Sequence, residues 1–170
     1  MAKKDISGHK KRYENWKSEI VDSTGKRNKL YLEEGLTKKN TTTLLDYVFD
    51  MEIGINVSNK SKRGARTPAR LNNVRQRIKW IMKEFQKRGV DDITKIKEKP
   101  IVQFFSDLKS GEIKTNKGNV FKSPESYARI FKSFFKWWIK VNRKKGKVIL
   151  DVTEDIDISS GEQPNFTYVT

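Results

Sequence analysis

The stretch Ser123 to Asn142, SPESYARIFKSFFKWWIKVN, constrains the fold more than any other part of the chain. It reads as one helix. Ser123 can cap it, Pro124 suits the first helical position, and Glu125 sits near the positive end of the helix dipole. Tyr127, Ile130, Phe131, Phe134, Phe135, Trp138 and Val141 recur at spacings of three and four and make one apolar face. Ala128, Trp137 and Ile139 widen it to roughly 200° of the helix circumference. A face that wide needs several neighbours, which predicts the central helix of a small helical bundle. Arg129, Lys132, Lys136, Lys140 and Arg143 fall on the remaining side. The same helix thus offers an aromatic anchor inward and a basic stripe outward.

The rest of the chain can supply such a bundle. Its 170 residues suffice for one domain with tails, or a domain plus the start of another. An apolar fraction of 35% is low, but nine Phe and four Trp take the chain out of the disordered class. The net charge of +16 and pI of about 9.9 point to a polyanionic partner, nucleic acid before an anionic membrane surface. The charge is concentrated. Residues 60–88 and 114–147 each carry eleven Lys or Arg against one acid, whereas residues 1–59 and 89–113 are close to neutral. Residues 148–170 hold five acids and no base. Charge runs are often just solvated faces, but two basic islands, each with a helix that has an apolar opposite side, resemble two surfaces of a clamp. There is no cysteine, hence no disulfide framework or cysteine-ligated metal, which fits a cytoplasmic protein. The N-terminus lacks the apolar segment of a secretory signal, and no stretch approaches the ~18 apolar residues of a spanning helix.

Along the chain, residues 1–12 are polar, basic and expected to be disordered. Trp16, Ile20 and Val21 suggest a short amphipathic helix over Tyr13 to Val21, broken at Thr24-Gly25, with another helical turn ended by Gly35. Thr37 can cap a helix from Lys38 to about Ile53 whose inner stripe is Leu44, Leu45, Val48 and Met51, and Gly54 ends it. The loop GINVSNKSKRGARTP is long and polar. With Lys60, Lys62, Arg63 and Arg66 it either follows a phosphate backbone or merely solubilises. Thr67-Pro68 opens a helix to Lys87 that buries Leu71, Val74, Ile78, Ile81, Met82 and Phe85. Arg70 and Arg77 share one flank of it, Arg75 and Lys79 the other. Asn73 points away from the apolar stripe and either reads a base edge or is an ordinary surface residue. A helix from Glu98 to Ser110 follows, with Ile101, Phe104, Phe105 and Leu108 inward. Glu112 to Lys122 reads as a hairpin around Asn116-Lys117-Gly118, or as an irregular loop. After the long helix, Val148 to Asp157 is acidic and extended, SSGEQP is linker chemistry, and Phe166, Tyr168 and Val169 look like the beginning of a further element.

No constellation for catalysis is evident. The single histidine, His9, lies in the N-terminal stretch. There is no metal-ligand cluster and no glycine-rich phosphate loop, so no cofactor, no metal and no catalytic residue are assigned. The acidic segment lacks the spacing of a calcium-binding loop. Tyr13, Tyr31, Tyr47, Tyr127 and Tyr168 do not sit among the cations that phosphoryl transfer needs.

Three stretches, LTKKNTTTLLDYVFDMEIGINVSNKSKRGARTPARLNNVRQRIKWIMKEF, DITKIKEKPIVQFFSDLKSGEIKTNKG and SPESYARIFKSFFKWWIKVNRKKGK, resemble the N-terminal, core-binding domain of tyrosine recombinases, closest to archaeal-type phage integrases. The resemblance covers about Leu36 to Thr170 and is a distributed pattern, not a catalytic signature. The tail QPNFTYVT resembles the point at which that family's catalytic domain begins. The resemblance implies an all-α, SAM-like four-helix bundle with a small β-hairpin or loop before the last long helix. The divisions would be an N-terminal extension over 1–35, a core-binding domain over 36–147 and an acidic linker over 148–170. It further implies one half of a C-shaped clamp around duplex DNA. Strand cleavage through a 3′-phosphotyrosyl link would belong to the catalytic domain, beyond Thr170, so this chain would bind DNA without cleaving it.

Charge and helical phase, not the family, give the candidate DNA contacts. They are Lys62, Arg63, Arg66, Arg70, Asn73 and Arg77 from the first island, and Lys114, Lys117, Lys122, Ser126, Arg129, Lys132 and Lys136 from the second. Most would meet phosphates and so position the duplex without reading it. The helix starts at Thr67 and Ser123 could add backbone N–H contacts. The expected partner is double-stranded DNA, not a membrane, with a monomer in isolation and a parent protein that assembles on paired sites. The alternatives are a stand-alone nucleic-acid-binding accessory protein of a virus or mobile element, and a membrane-surface protein using the basic stripe.

Overall fold

The computed structural model describes residues 7–57 and 64–159. Their regular structure is entirely helical: α1 (His9–Ser18), α2 (Lys38–Ile53), α3 (Pro68–Lys87), a 3-10 turn (Ile93–Lys95), α4 (Glu98–Ser110) and α5 (Pro124–Lys144). The fold is all-α. Among the described residues the only β pairings are two isolated antiparallel bridges, Val21 with Arg27 and Lys114 with Val120. The second closes the expected hairpin at its smallest, with Thr115 N–H donating to Asn119 O over 2.8 Å. The chain divides into two compact units, Met1–Lys95 and Ile96–Thr170.

In the first unit α1 and α2 both pack on α3. The period of α3 accounts for its place as the hub: Leu71, Val74, Ile78, Ile81, Met82 and Phe85 are all buried. Thr37 and Thr67 cap α2 and α3, each accepting a hydrogen bond from the backbone N–H three residues on, at Asn40 and Arg70. The N-terminal segment is more ordered than its polarity suggests. The expected disorder over residues 1–12 does not hold for His9–Arg12, which form the first turn of α1, and residues 1–6 lie outside the described set. Tyr13 and Trp16 explain why, since both are buried and Tyr13 donates to Glu52 Oε2 of α2 over 3.0 Å. The turn expected before Gly35 is not helical. At the other end of the unit, buried Asn40 ties α2 to α3 and to the 3-10 turn. Its Nδ2 donates to Gln86 Oε1 over 2.8 Å and its Oδ1 accepts from Ile93 N–H over 2.9 Å.

In the second unit α4 packs against α5. Ile101, Phe104, Phe105 and Leu108 meet Phe131, Phe134, Phe135 and Trp137 in a shared aromatic core, with Phe105 and Phe131 ring centroids 5.6 Å apart. Since the helices are shared between two units, α5 organises the second unit and α3 the first. The buried face of α5 points where the expected one does and reaches its expected margins. Ala128 and Trp137, on its two margins, are fully buried, while Tyr127, Trp138, Ile139 and Val141 are half-buried. Ser123 makes no side-chain cap, leaving Pro124 and a backbone bond from Ser126 N–H to Ser123 O to open the helix. The acidic stretch is not extended: residues 152–155 form turns, and Thr153 and Ile156 are buried.

Two substitutions check this packing. Phe134→Ala removes a fully buried ring and should cost about 3–5 kcal/mol in a denaturant titration. Gly54 ends α2 at φ +80°, and a Cβ there would meet the Gly64 carbonyl carbon at 2.4 Å. Gly54→Ala should therefore cost about 1–3 kcal/mol, read by the same titration, because both the left-handed backbone and the close return of the loop reject a side chain.

Candidate nucleic-acid interface

The first unit's basic surface is smaller than its charge count. Arg70, Asn73 and Arg77 follow one line along α3 at intervals of three and four, and Arg66 lies in the loop just before the helix. Arg70 and Asn73 are exposed, and Arg66 and Arg77 are half-buried. Arg66 is already engaged locally: its Nη1 donates to Gly64 O over 2.8 Å, and its backbone N–H donates to Met51 O, which holds the loop's return against the end of α2. Lys62 and Arg63, with Lys60, lie outside the described residues.

The opposite flank of α3 faces inward. Arg75 is buried with its guanidinium 4.7 Å from the Trp16 ring centroid, and its Nε donates to Asn72 Oδ1 over 3.1 Å. Lys79 Nζ pairs with Glu33 Oε1 at 2.9 Å. Glu33 also accepts from Trp16 Nε1 over 2.9 Å and from the Tyr31 hydroxyl. Burial raises the pKa of this carboxyl, but the donors Tyr31, Trp16 and Lys79 outweigh it and hold the group below its ordinary value. Near the end of α3, Glu84 pairs with both Lys87 and Arg88. Arg75, Lys79, Lys87 and Arg88 are thus matched within the unit. The flank that carries Arg75 and Lys79 finds its partners in Trp16 and Glu33 of the N-terminal segment.

In the second unit the predicted cations fall on two features. Lys114, Lys117 and Lys122 are exposed on and beside the small hairpin, whose base is set by Phe121 packed edge-on against Tyr127 at 5.4 Å. On α5, Ser126 is half-buried in the first turn, Arg129 and Lys136 are exposed, and Lys132 is half-buried. The intervals of three and four put Arg129, Lys132 and Lys136 in one stripe opposite the aromatic core. Two of the three are not open to solvent alone. Arg129 Nη2 donates to Ile158 O over 3.3 Å, and Lys132 Nζ lies 3.4 Å from Glu154 O and 3.5 Å from Ile156 O. The described part of the acidic stretch therefore lies against the stripe.

What each surface can do chemically is donate charge-assisted hydrogen bonds to an anionic backbone. Tyr13, Tyr31 and Tyr47 have their pKa values raised, each first by burial and the first two also by a neighbouring carboxylate, Glu52 or Glu33. That shift disfavours the phenolate. Among the described residues no group of three or more His, Cys, Asp or Glu side chains is arranged to hold a metal ion, and no helix is long and apolar enough to cross a membrane.

The Glu33 cluster has a signed pH dependence. A carboxyl whose folded pKa lies below its unfolded value of 4.5 contributes stability that is complete above that value and lost as pH falls through the folded one. Urea midpoints measured from about pH 7 to about pH 3 should fall on the acid side, and Glu33→Gln should be less stable at neutral pH with a flatter acid limb. Comparison of the chain with protein-family models, curated proteins and solved structures finds no match.

Proposed function

We propose that the chain is a duplex-DNA-binding module, the core-binding part of a site-specific tyrosine recombinase acting in DNA integration. The observation that carries the reading is the division of α5: Phe131, Phe134, Phe135 and Trp137 are buried on one side, and Arg129 and Lys136 are exposed on the other. A helix committed to a core by its aromatic face has its cations held at fixed intervals, which suits a repeating phosphate backbone better than a diffuse basic tail would. The first unit adds its own line, Arg70, Asn73 and Arg77 on α3, and each unit contributes a phosphate-facing surface. The choice of duplex DNA over other polyanions, and of a recombinase over a free-standing binder, rests on the family resemblance. On that reading the protein is monomeric until DNA is bound, cytoplasmic, free of cofactor, and not itself the cleaving unit.

Anisotropy of a labelled ~20-base-pair duplex, titrated at several salt concentrations, tests this directly, because each phosphate neutralised steepens the fall of affinity with salt. Binding should prefer the duplex over single-stranded DNA and duplex RNA competitors. Arg70→Glu and Lys136→Glu should each weaken it and lower the salt slope by about one or more, with helix content unchanged because both side chains are exposed. No binding at low salt would reject the proposal. Preference for RNA would leave the basic surfaces with a nucleic-acid role but reject the recombinase.

A further inference from the structure

The α5 stripe is partly occupied by the chain's own C-terminal stretch. Residues 151–159 are built as two side-chain-capped turns. Asp151 Oδ1 accepts from both N–H and Oγ1 of Thr153, and Asp157 Oδ1 accepts from both N–H and Oγ of Ser159. Between them Ile156 is buried, and its N–H donates to Thr153 O over 3.1 Å. The segment is held to α4 by a short ion pair, Lys109 Nζ to Asp157 Oδ2 at 2.6 Å, with Lys109 also reaching Ser159 Oγ at 3.0 Å.

Its hold on α5 is of a different kind. Arg129 and Lys132 meet backbone carbonyls of Ile158, Glu154 and Ile156 at 3.3 to 3.5 Å. Bonds from such cations to an anionic oxygen are shorter, about 2.7–2.9 Å. Arg129, still exposed, and Lys132, half-buried, thus make only long contacts there, and anionic phosphate oxygens would serve them better than the carbonyls do. The segment also carries Glu154, Asp155 and Asp157, all exposed, beside the surface that a polyanion would approach. In the chain leading into it, Val148 and Leu150 are largely exposed.

We infer that residues 151–159 form a displaceable strap that competes with the phosphate backbone for Arg129 and Lys132, so that the second unit engages DNA fully only once the strap has left α5. The inference rests on the DNA-binding reading and gives it a regulation. Apparent affinity is then the intrinsic affinity reduced by the fraction of molecules with the strap released. Any event that draws the acidic stretch elsewhere raises affinity without touching a DNA contact.

The test uses the full chain. Ile156→Ser removes the strap's buried anchor without changing charge. It should tighten binding of the ~20-base-pair duplex by at least about threefold, as expected when a minor competent fraction becomes the major one. Since this variant can also loosen the core, a second pair is compared: Asp157→Asn, which breaks the Lys109 ion pair, against Glu154→Gln, which removes the same charge from an exposed side chain. Asp157→Asn should tighten binding more than Glu154→Gln. Hydrogen exchange gives a readout independent of affinity: the Ile156 amide, protected in the free protein, should exchange faster in the DNA complex. If wild type binds the duplex, Ile156→Ser binds no tighter and the Ile156 amide stays protected in the complex, the strap is overturned and DNA binding stands. If neither wild type nor Ile156→Ser binds at low salt, the DNA reading fails and the strap fails with it. Binding by Ile156→Ser alone would support both.

Discussion

Burial of the α5 aromatic face governs the second unit. Phe131, Phe134 and Phe135 are almost fully inaccessible, and burying each ring contributes about 1.5–3 kcal/mol. That interaction sets the rotation of the helix about its axis. Once the rings point inward against Phe104 and Phe105, Arg129, Lys132 and Lys136 have only one side to occupy. The position of the cations is thus a consequence of packing, and they need no interaction of their own to be held there.

The first unit uses the same device on α3 but spends part of its charge internally. Arg70 and Arg75 are both arginines of one helix, five residues apart, and their fates are opposite: Arg70 is exposed, while Arg75 lies buried on Trp16. A buried cation is tolerable only when its charge is answered, and the Glu33 carboxylate, which also pairs with Lys79, supplies that answer close by. Burial lowers the Arg75 pKa and Glu33 pushes it back up. The N-terminal segment is therefore part of the unit's core electrostatics, which is why its polar helix α1 is ordered at all.

The acidic stretch follows a related logic at lower strength. It is held to α4 by one ion pair, Lys109–Asp157, and to α5 only by long bonds from Arg129 and Lys132 to its backbone carbonyls. A segment attached more firmly on one side than on the other can change its contacts there without leaving the protein. Whether an ion pair buries or merely rests on the surface separates the permanent Glu33–Lys79 link from the exposed Lys109–Asp157 link.

The sequence by itself determined that the chain is all-α and where its main helices run. Thr37, Thr67, Pro68, Gly54 and Gly111 punctuate the periodic stretches, and the ends of α2, α3 and α4 fall where those residues require. It also determined which side of α5 is basic, because period and composition are local properties. It did not reveal that Asn40, Asn72 and Asn142 are buried, that Trp137 lies deeper than Trp138, or that Arg75 and Lys79 are lost to any outside partner. Asn40, Asn72 and Lys79 depend on residues distant in the chain: Gln86 and Ile93 for Asn40, the His9 carbonyl for Asn72, Glu33 for Lys79. The same holds for the acidic stretch on Arg129 and Lys132. Only the tertiary structure decided which cations stay exposed and which are already taken, because electrostatic satisfaction is settled by proximity in space, and proximity is not written in local spacing.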